Sequence, residues 1–226
     1  MNDLYQQLQD FTMTSRKSLA ATCRAVEHVM DNGIPGAFVE CGVWKGGCAM
    51  AMAITALHQN VDDREIWMYD TFAGMTEPTD LDRTPAGHLG ADILAAAKPT
   101  DHVWAIADVI EVRVHMSWTN YPPERIKMVE GNVVDTIPLF APDLISVLRL
   151  DTDWYESTLH ELTHLYPLLS PGGILIVDDY GHWEGARNAV DSYNASLEQP
   201  FQLEQIDYTC YRATKPKETP NVAPKS

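Results

Sequence analysis

Five carboxylates fall at the downstream ends of short apolar runs. Glu40 follows Ala37-Phe38-Val39, Asp70 follows Ile66-Trp67-Met68-Tyr69, Asp151 follows Val147-Leu148-Arg149-Leu150, and Asp178 with Asp179 follows Ile174-Leu175-Ile176-Val177. Each run is rich in β-branched residues and bounded by Gly, Pro or Asp, so it reads as a strand buried on both faces. The carboxyl ends of such strands are where an open α/β sheet builds its ligand crevice, and acids placed there predict a pocket rather than a solvated rim.

The loop after the first run, Glu40-Cys41-Gly42-Val43-Trp44-Lys45-Gly46-Gly47, has the form E-x-G-x-x-x-G-G and opens a helical stretch. Gly42 permits a tight turn, and Gly46 with Gly47 lets a ligand approach the helix N-terminus. The pattern is neither the G-x-G-x-x-G of dinucleotide enzymes nor a P-loop, since no G-K-[ST] follows. Alone, it fits a glycine-rich turn with Glu40 as a local cap as well as it fits a ligand site. Asp70 shifts the balance, because an acid ending the second strand can accept hydrogen bonds from both hydroxyls of a ribose; a turn cap is its plainer role. Glu40, Gly42 and Asp70 in this order predict an adenosine-containing ligand.

A competing motif is His160-Glu161-Leu162-Thr163-His164, the H-E-x-x-H of zinc peptidases, with Glu184 downstream where one subclass takes its third ligand. Leu159, Leu162, Tyr166 and Leu169 define the apolar stripe of that helix and leave both histidines beside it. Pro167, Gly172, Gly173 and the run 174–177 then intervene before Glu184, an order that suits a helix-to-strand connection better than paired zinc-binding helices.

The elements that must position these groups follow from composition and periodicity. At 226 residues and 45% hydrophobic content the chain can bury the core of one α/β domain. With 32 acidic against 16 basic residues and a formal net charge of −16, it repels phosphate backbones and anionic membrane surfaces. Nucleic acid and membrane are therefore not expected as partners, and cationic ligands, metal ions among them, are favoured. Cys23, Cys41, Cys48 and Cys210 form no C-x-x-C pair and read as reduced core cysteines. The start of the chain lacks the apolar stretch of a signal peptide, and the run 49–57 is too short to span a bilayer, so a cytoplasmic location is expected.

Leu4, Leu8 and Phe11, then Leu19, Cys23, Val26, Val29 and Met30, recur at helical spacing and predict an N-terminal helical region over 1–35. Strands are expected at 37–43, 65–70, 126–130, 145–151 and 173–178, with helices at 46–58, 155–169 and 184–196. That alternation implies a mostly parallel, Rossmann-like sheet, with an antiparallel edge from two short strands in 201–215. Residues 73–123 interrupt the alternation with Pro78, Pro85, Gly87, Gly90 and Pro99 and a helix-like segment at 101–116. They predict a lid insertion above the sheet, mobile over 76–90 without ligand. The whole reads as one domain over 1–215, with a loose tail at 216–226.

Taken together, FVECGVWKGG (38–47), YDTFAGM (69–75), EGNVVDTIP (130–138), LRLDTDWYESTLHELTHLYPLLSPGG (148–173) and VDDYGHWEGARNAVDSY (177–193) resemble the macrocin O-methyltransferase type of S-adenosylmethionine- and metal-dependent O-methyltransferases. The likeness runs over about 36–215. It implies a class I methyltransferase sheet and a methyl transfer to a hydroxyl of a sugar or other small natural-product acceptor. For the cofactor it implies Glu40, Gly42, Trp44, Gly46 and Gly47 around the methionine part, Asp70, Thr71 and Phe72 at the ribose, and Gly131, Asn132 and Val133 beside the adenine. A homodimer is implied by the family alone.

Asp151, Asp178 and Asp179 match the family's metal positions and, coming from neighbouring strand ends, can converge on one oxygen-loving cation such as Mg²⁺. Adjacent buried carboxylates repel unless a cation or proton separates them. A hydroxyl bound to such a cation loses its proton more easily, and Asp151 is the expected general base, with Asp153 and His182 as weaker candidates. A catechol or phenol acceptor would chelate equally well. A non-catalytic S-adenosylmethionine-binding protein is a further alternative, disfavoured because it would not need the three aspartates.

Overall fold

The alternating runs assemble into one seven-stranded sheet. The computed structural model describes residues 2–98 and 100–217. Its strands are β1 Ala37–Cys41, β2 Ile66–Asp70, β3 Ile126–Glu130, β4 Ile145–Leu150, β5 Leu169–Val177, β6 Glu204–Gln205 and β7 Tyr211–Thr214, arranged β3-β2-β1-β4-β5-β7-β6. The first five in that order pair in parallel, β7 pairs antiparallel with β5, and β6 closes the edge antiparallel to β7. The expected Rossmann-like sheet with an antiparallel C-terminal edge is the one that forms.

Period-two burial explains why the central strands read as continuous apolar runs. Phe38, Val147, Ile174 and Ile176 pack on one face, with helices α2 (Arg16–Asp31) and α3 (Gly47–His58). Val39, Leu148, Leu175 and Val177 pack on the other, against α7 (Tyr155–Leu165) and α8 (Glu184–Ser196). Both faces are covered, so neither needs polar residues. β5 starts earlier than the expected residue 173, because Leu169 already pairs with Ile145 and the Pro- and Gly-containing stretch that reads as a turn is absorbed by a register shift before Ile174 meets Val147.

The N-terminal region folds as α1 (Asn2–Leu8), a short turn and α2, which Ser15 caps by accepting from the Lys17 and Ser18 N–H groups. The insertion differs from expectation. It contains a helix that periodicity did not reveal, α4 (Gly90–Ala96), and the anticipated helix over 101–116 shrinks to α5 (Val109–Ser117). Ala105, at a left-handed φ of 47°, ends the preceding turn, and Asp108 starts α5 afresh by accepting from the Ile110 N–H. The short helix α6 (Val133–Thr136) opens with Asn132 as its cap. All four cysteines are buried and free. Among the described residues no helix is long and apolar enough to cross a membrane. Residues 218–226 of the expected tail lie outside the described residues.

Candidate active site at the sheet switch point

The strand order reverses between β1 and β4, and a cavity of about 760 Å³ opens above that point. Glu40, Gly42, Trp44, Asp70, Thr71, Gly131, Asn132 and Val133 line it, as do Asp151, Asp178 and Asp179. Gly46, Gly47 and Phe72 do not. A Cβ on Gly47 would stand 2.6 Å from the Phe11 carbonyl oxygen, so the room beside that helix end is filled by the chain's own N-terminal segment. Phe72 is buried and left-handed at φ 50°, and its N–H donates to Asp70.

Asp70 organises the loops around it. Its Oδ2 accepts the N–H groups of Val43 at 2.6 Å and Trp44 at 2.9 Å, while Oδ1 accepts that of Phe72 at 2.8 Å. Burial raises its carboxyl above the ordinary value, and those backbone donors partly offset the rise. The plainer role as a turn cap is thus real, and with both Oδ2 lone pairs taken, Oδ1 is left to accept from a ligand.

At the centre lies a residue that the sequence disguised. Arg149 is fully buried in β4, in direct register with Glu40 of β1. Its Nε donates to Glu40 Oε1 at 3.1 Å, and its Nη2 donates to Asp151 Oδ2 at 2.7 Å and lies 3.2 Å from Asp178 Oδ2. One guanidinium therefore ties three of the five strand-end acids together. An arginine inside a run otherwise buried on both faces was the available signal, since Arg is almost never fully buried unless paired. Burial alone would lower its pKa, but Asp178 and the other acids around it keep it firmly charged.

Asp178 and Asp179 diverge because consecutive strand residues point to opposite faces. Asp178 turns toward α2, where the Ser18 hydroxyl donates to it at 2.8 Å and the Thr14 hydroxyl at 3.2 Å. Burial would raise its carboxyl, but Arg149 and these donors outweigh burial and hold it below the ordinary value. Asp179 turns the other way, and the expected trio does not gather as such. Asp151, Asp153 and Asp179 instead bring one carboxylate oxygen each within 4.8 Å of one another, the only such grouping of His, Cys, Asp or Glu among the described residues.

That cluster is electrostatically unsatisfied. Burial, then the charge of Asp178, raises Asp151 well above the usual range; burial, then Asp153, does the same to Asp179; and burial pushes Asp153 up to about 7. Asp179 Oδ2 is buried without a partner, and Asp153 is held left-handed at φ 68°, a conformation costing a non-glycine residue roughly 1–3 kcal/mol. A hard divalent cation with oxygen ligands fits such a donor set. Two further unpartnered atoms belong to cavity-lining residues: Glu40 Oε2 and His182 Nδ1. Burial raises Glu40 to about 7 despite Arg149, and it keeps His182 below its ordinary value, hence neutral.

The H-E-x-x-H segment builds no metal centre. Glu161 has no solvent exposure and faces the core, accepting from the Thr152 hydroxyl at 3.0 Å. His160 Nε2 contacts the Ile137 carbonyl at 2.7 Å, and Glu184 sits at the start of α8. The helix spends its acid on supporting the loop that carries Asp151 and Asp153.

Comparisons with known proteins agree with this architecture. The macrocin-O-methyltransferase (TylF) family matches residues 5–214. A demethyldecarbamoylnovobiocin O-methyltransferase of Streptomyces niveus is 36% identical over 202 residues, covering 87% of this chain and 72% of that protein. An 8-demethyl-8-(2,3-dimethoxy-alpha-L-rhamnosyl)-tetracenomycin-C 4'-O-methyltransferase of Streptomyces olivaceus is 33% identical over 88% of this chain and 73% of its own. The solved structure of the O-methyltransferase NovP superposes with a TM-score of 0.78 at 33% identity, over 92% of this chain and 83% of that one. With the switch-point cavity and its strand-end acids in place, the sheet is that of a class I methyltransferase, and the chain belongs to the macrocin-O-methyltransferase (TylF) family.

Proposed function

We propose that this protein is an S-adenosylmethionine-dependent O-methyltransferase acting on a hydroxyl of a sugar or another small natural-product acceptor, assisted by a divalent cation such as Mg²⁺. The observation that carries the reading is one cavity in which the ribose-type acid Asp70 and the Asp151, Asp153 and Asp179 cluster face the same space. The names of the relatives, one a rhamnosyl tetracenomycin 4'-O-methyltransferase, support a glycosylated acceptor over a simple phenol.

In this reading Asp70 Oδ1, the oxygen with acceptor capacity left, takes a ribose hydroxyl, and the backbone at Gly131, Asn132 and Val133 flanks the adenine. Glu40 Oε2, buried and unpartnered, takes the ammonium of the methionine part. Gly42, where a Cβ would meet the Asp151 carbonyl, lets the β1 and β4 loops close on each other beside that moiety. Thr71 and Trp44 complete the wall. Asp151, Asp153 and Asp179 would hold the cation, while Asp178 acts one step back by fixing Arg149. S-adenosylmethionine supplies an electrophilic methyl, and the cation lowers the pKa of a bound hydroxyl. The chain's work is to orient the acceptor, exclude water and receive its proton.

Asp151 is the sequence-derived proton acceptor. Asp153 competes for the role, because one Asp151 oxygen is committed to Arg149 at 2.7 Å. A homodimer also belongs to this reading, supported by the exposed apolar row Ile106, Ile110, Val114 and Trp118. The free buried cysteines fit a reducing cytoplasm.

The test is methyl transfer from labelled S-adenosylmethionine to a panel of glycosylated and phenolic acceptors, with and without chelator. Chelation should abolish transfer, Mg²⁺ should restore it, and calorimetric affinity for S-adenosylhomocysteine should survive both. Full turnover in excess chelator, with metal absence verified by elemental analysis, would remove the cation from the mechanism.

A further inference from the structure

The insertion is fastened to the acidic cluster through one side chain. Asp82 has no solvent exposure. Its Oδ1 accepts the Tyr155 N–H at 2.7 Å, and its Oδ2 accepts the N–H and hydroxyl of Thr79 at 2.8 and 2.9 Å. Tyr155 is the first residue of α7, and Trp154 before it supplies no side-chain cap. A carboxylate from 73 residues away thus does what a local Ser or Asp usually does, at the positive end of the helix dipole.

The neighbouring residue repeats the device at α8. The Arg83 carbonyl accepts the Glu184 N–H at 2.8 Å, and Trp183, in the cap position, likewise offers no side-chain bond. Gly185 makes the room, since a Cβ there would stand 2.0 Å from Asp82 Oδ1. The loop before α7 carries Asp151 and Asp153, and the loop before α8 carries Asp179. The same insertion contributes Met75 and Thr76 to the cavity wall, and the Thr76 carbonyl accepts the Trp154 Nε1–H at 3.0 Å.

We infer that Asp82 is a positioning residue, which registers the cavity wall that the insertion forms at Met75 and Thr76 against the two loops that carry the acidic cluster. Cation affinity then depends on Asp82, whereas the cofactor half of the cavity, built on β1 to β3, does not. The inference rests on the function proposed above for the cluster.

Its test uses Mn²⁺ alone, followed by electron paramagnetic resonance, alongside calorimetric binding of S-adenosylhomocysteine and hydrogen exchange. Asp82→Ala should weaken Mn²⁺ binding about tenfold and leave S-adenosylhomocysteine affinity within roughly twofold. Exchange should accelerate together over 76–90 and at the Tyr155 amide. Asp82→Asn should recover much of the Mn²⁺ affinity, because its amide oxygen still accepts from Tyr155. Gly185→Ala, which crowds the same oxygen without removing charge, should reproduce the alanine variant. Thr79→Val, a milder change, should move the same readouts in the same direction if Asp82→Ala folds poorly. Unchanged Mn²⁺ affinity in Asp82→Ala, or a parallel loss of both ligands, would overturn the inference. If the wild type takes up no Mn²⁺, the cation reading fails instead, and the hydrogen-exchange arm still decides whether Asp82 couples 76–90 to α7.

Discussion

Arg149 Nη2 donates to Asp151 Oδ2 at 2.7 Å from a guanidinium with no solvent exposure, while the Asp151 side chain keeps 26% of its surface open to the cavity. The pair thus joins the buried part of the strand-end acids to the part that faces the cavity. Through the same guanidinium, Glu40 on β1 and Asp178 after β5 are held in fixed relation to Asp151 after β4.

Removing that hub should be severe. Arg149→Met leaves Glu40 and Asp178 buried without their cation, and breaking a buried ion pair typically costs about 3–5 kcal/mol. Denaturant unfolding should show a loss of that order. Ser18→Ala, which removes only the 2.8 Å donor to Asp178, should cost about 1.5–3 kcal/mol.

Asp70→Ala should weaken S-adenosylhomocysteine by about 1.5–3 kcal/mol, roughly tenfold to a hundredfold. Because Asp70 also holds the Val43 and Trp44 N–H groups, stability should fall in the same variant. Unchanged calorimetric affinity would remove Asp70 from the ribose role and leave it as a loop organiser only.

Glu40, if it takes the ammonium as proposed, should make S-adenosylhomocysteine binding sensitive to pH. Its carboxyl is raised from 4.5 to about 7 by burial, so in the free protein it is largely protonated below that pH. An ammonium ligand selects the ionised form. Affinity for S-adenosylhomocysteine should therefore rise by up to about tenfold per pH unit toward 7, then level off, with a proton released on binding below 7. Calorimetry in buffers of different ionisation enthalpy reads that proton directly. The same raised pKa means that Glu40 lowers stability as pH climbs from 4.5 through 7, and Glu40→Gln should flatten both dependences.

Gly42→Ala is expected to abolish a productive site. At φ 80°, the added Cβ would stand 1.9 Å from the Asp151 carbonyl oxygen, so the β1 and β4 loops must separate. Both S-adenosylhomocysteine and Mn²⁺ affinity should fall in this variant, unlike Asp82→Ala.

The two aspartates competing for the acceptor proton can be told apart. If Asp153 receives the proton, Asp153→Asn should cost more activity than Asp151→Asn at equal Mn²⁺ occupancy. If Asp151 is the base, Asp151→Asn should cost more activity than Asp153→Asn at equal Mn²⁺ occupancy. Single-turnover rates at matched Mn²⁺ occupancy decide between them.

The sequence by itself determined the sheet and the site's location. Runs such as 145–150 and 174–177 can only be buried strands, their alternation with helical stretches demands parallel pairing, and acids at their carboxyl ends must then meet at the switch point. Local pattern also placed the C-terminal edge and the helices α3, α7 and α8. The tertiary structure decided which acid does what. Asp178 and Asp179 are neighbours in sequence, yet pleating sends one to Ser18 and Arg149 and the other to Asp151 and Asp153. Arg149 looked like one residue of an apolar run until β1 and β4 were laid in register and Glu40 fell beside it. Glu161 matches a zinc motif that the sequence order already disfavours, and the helix rotation gives it a different task under Thr152. Asp82, in a segment without any periodicity, acquires its place only because the packing of α7 on α8 brings it to the α7 N-terminus, whose Tyr155 N–H no local side chain caps, while the Arg83 carbonyl next to it takes the Glu184 N–H of α8.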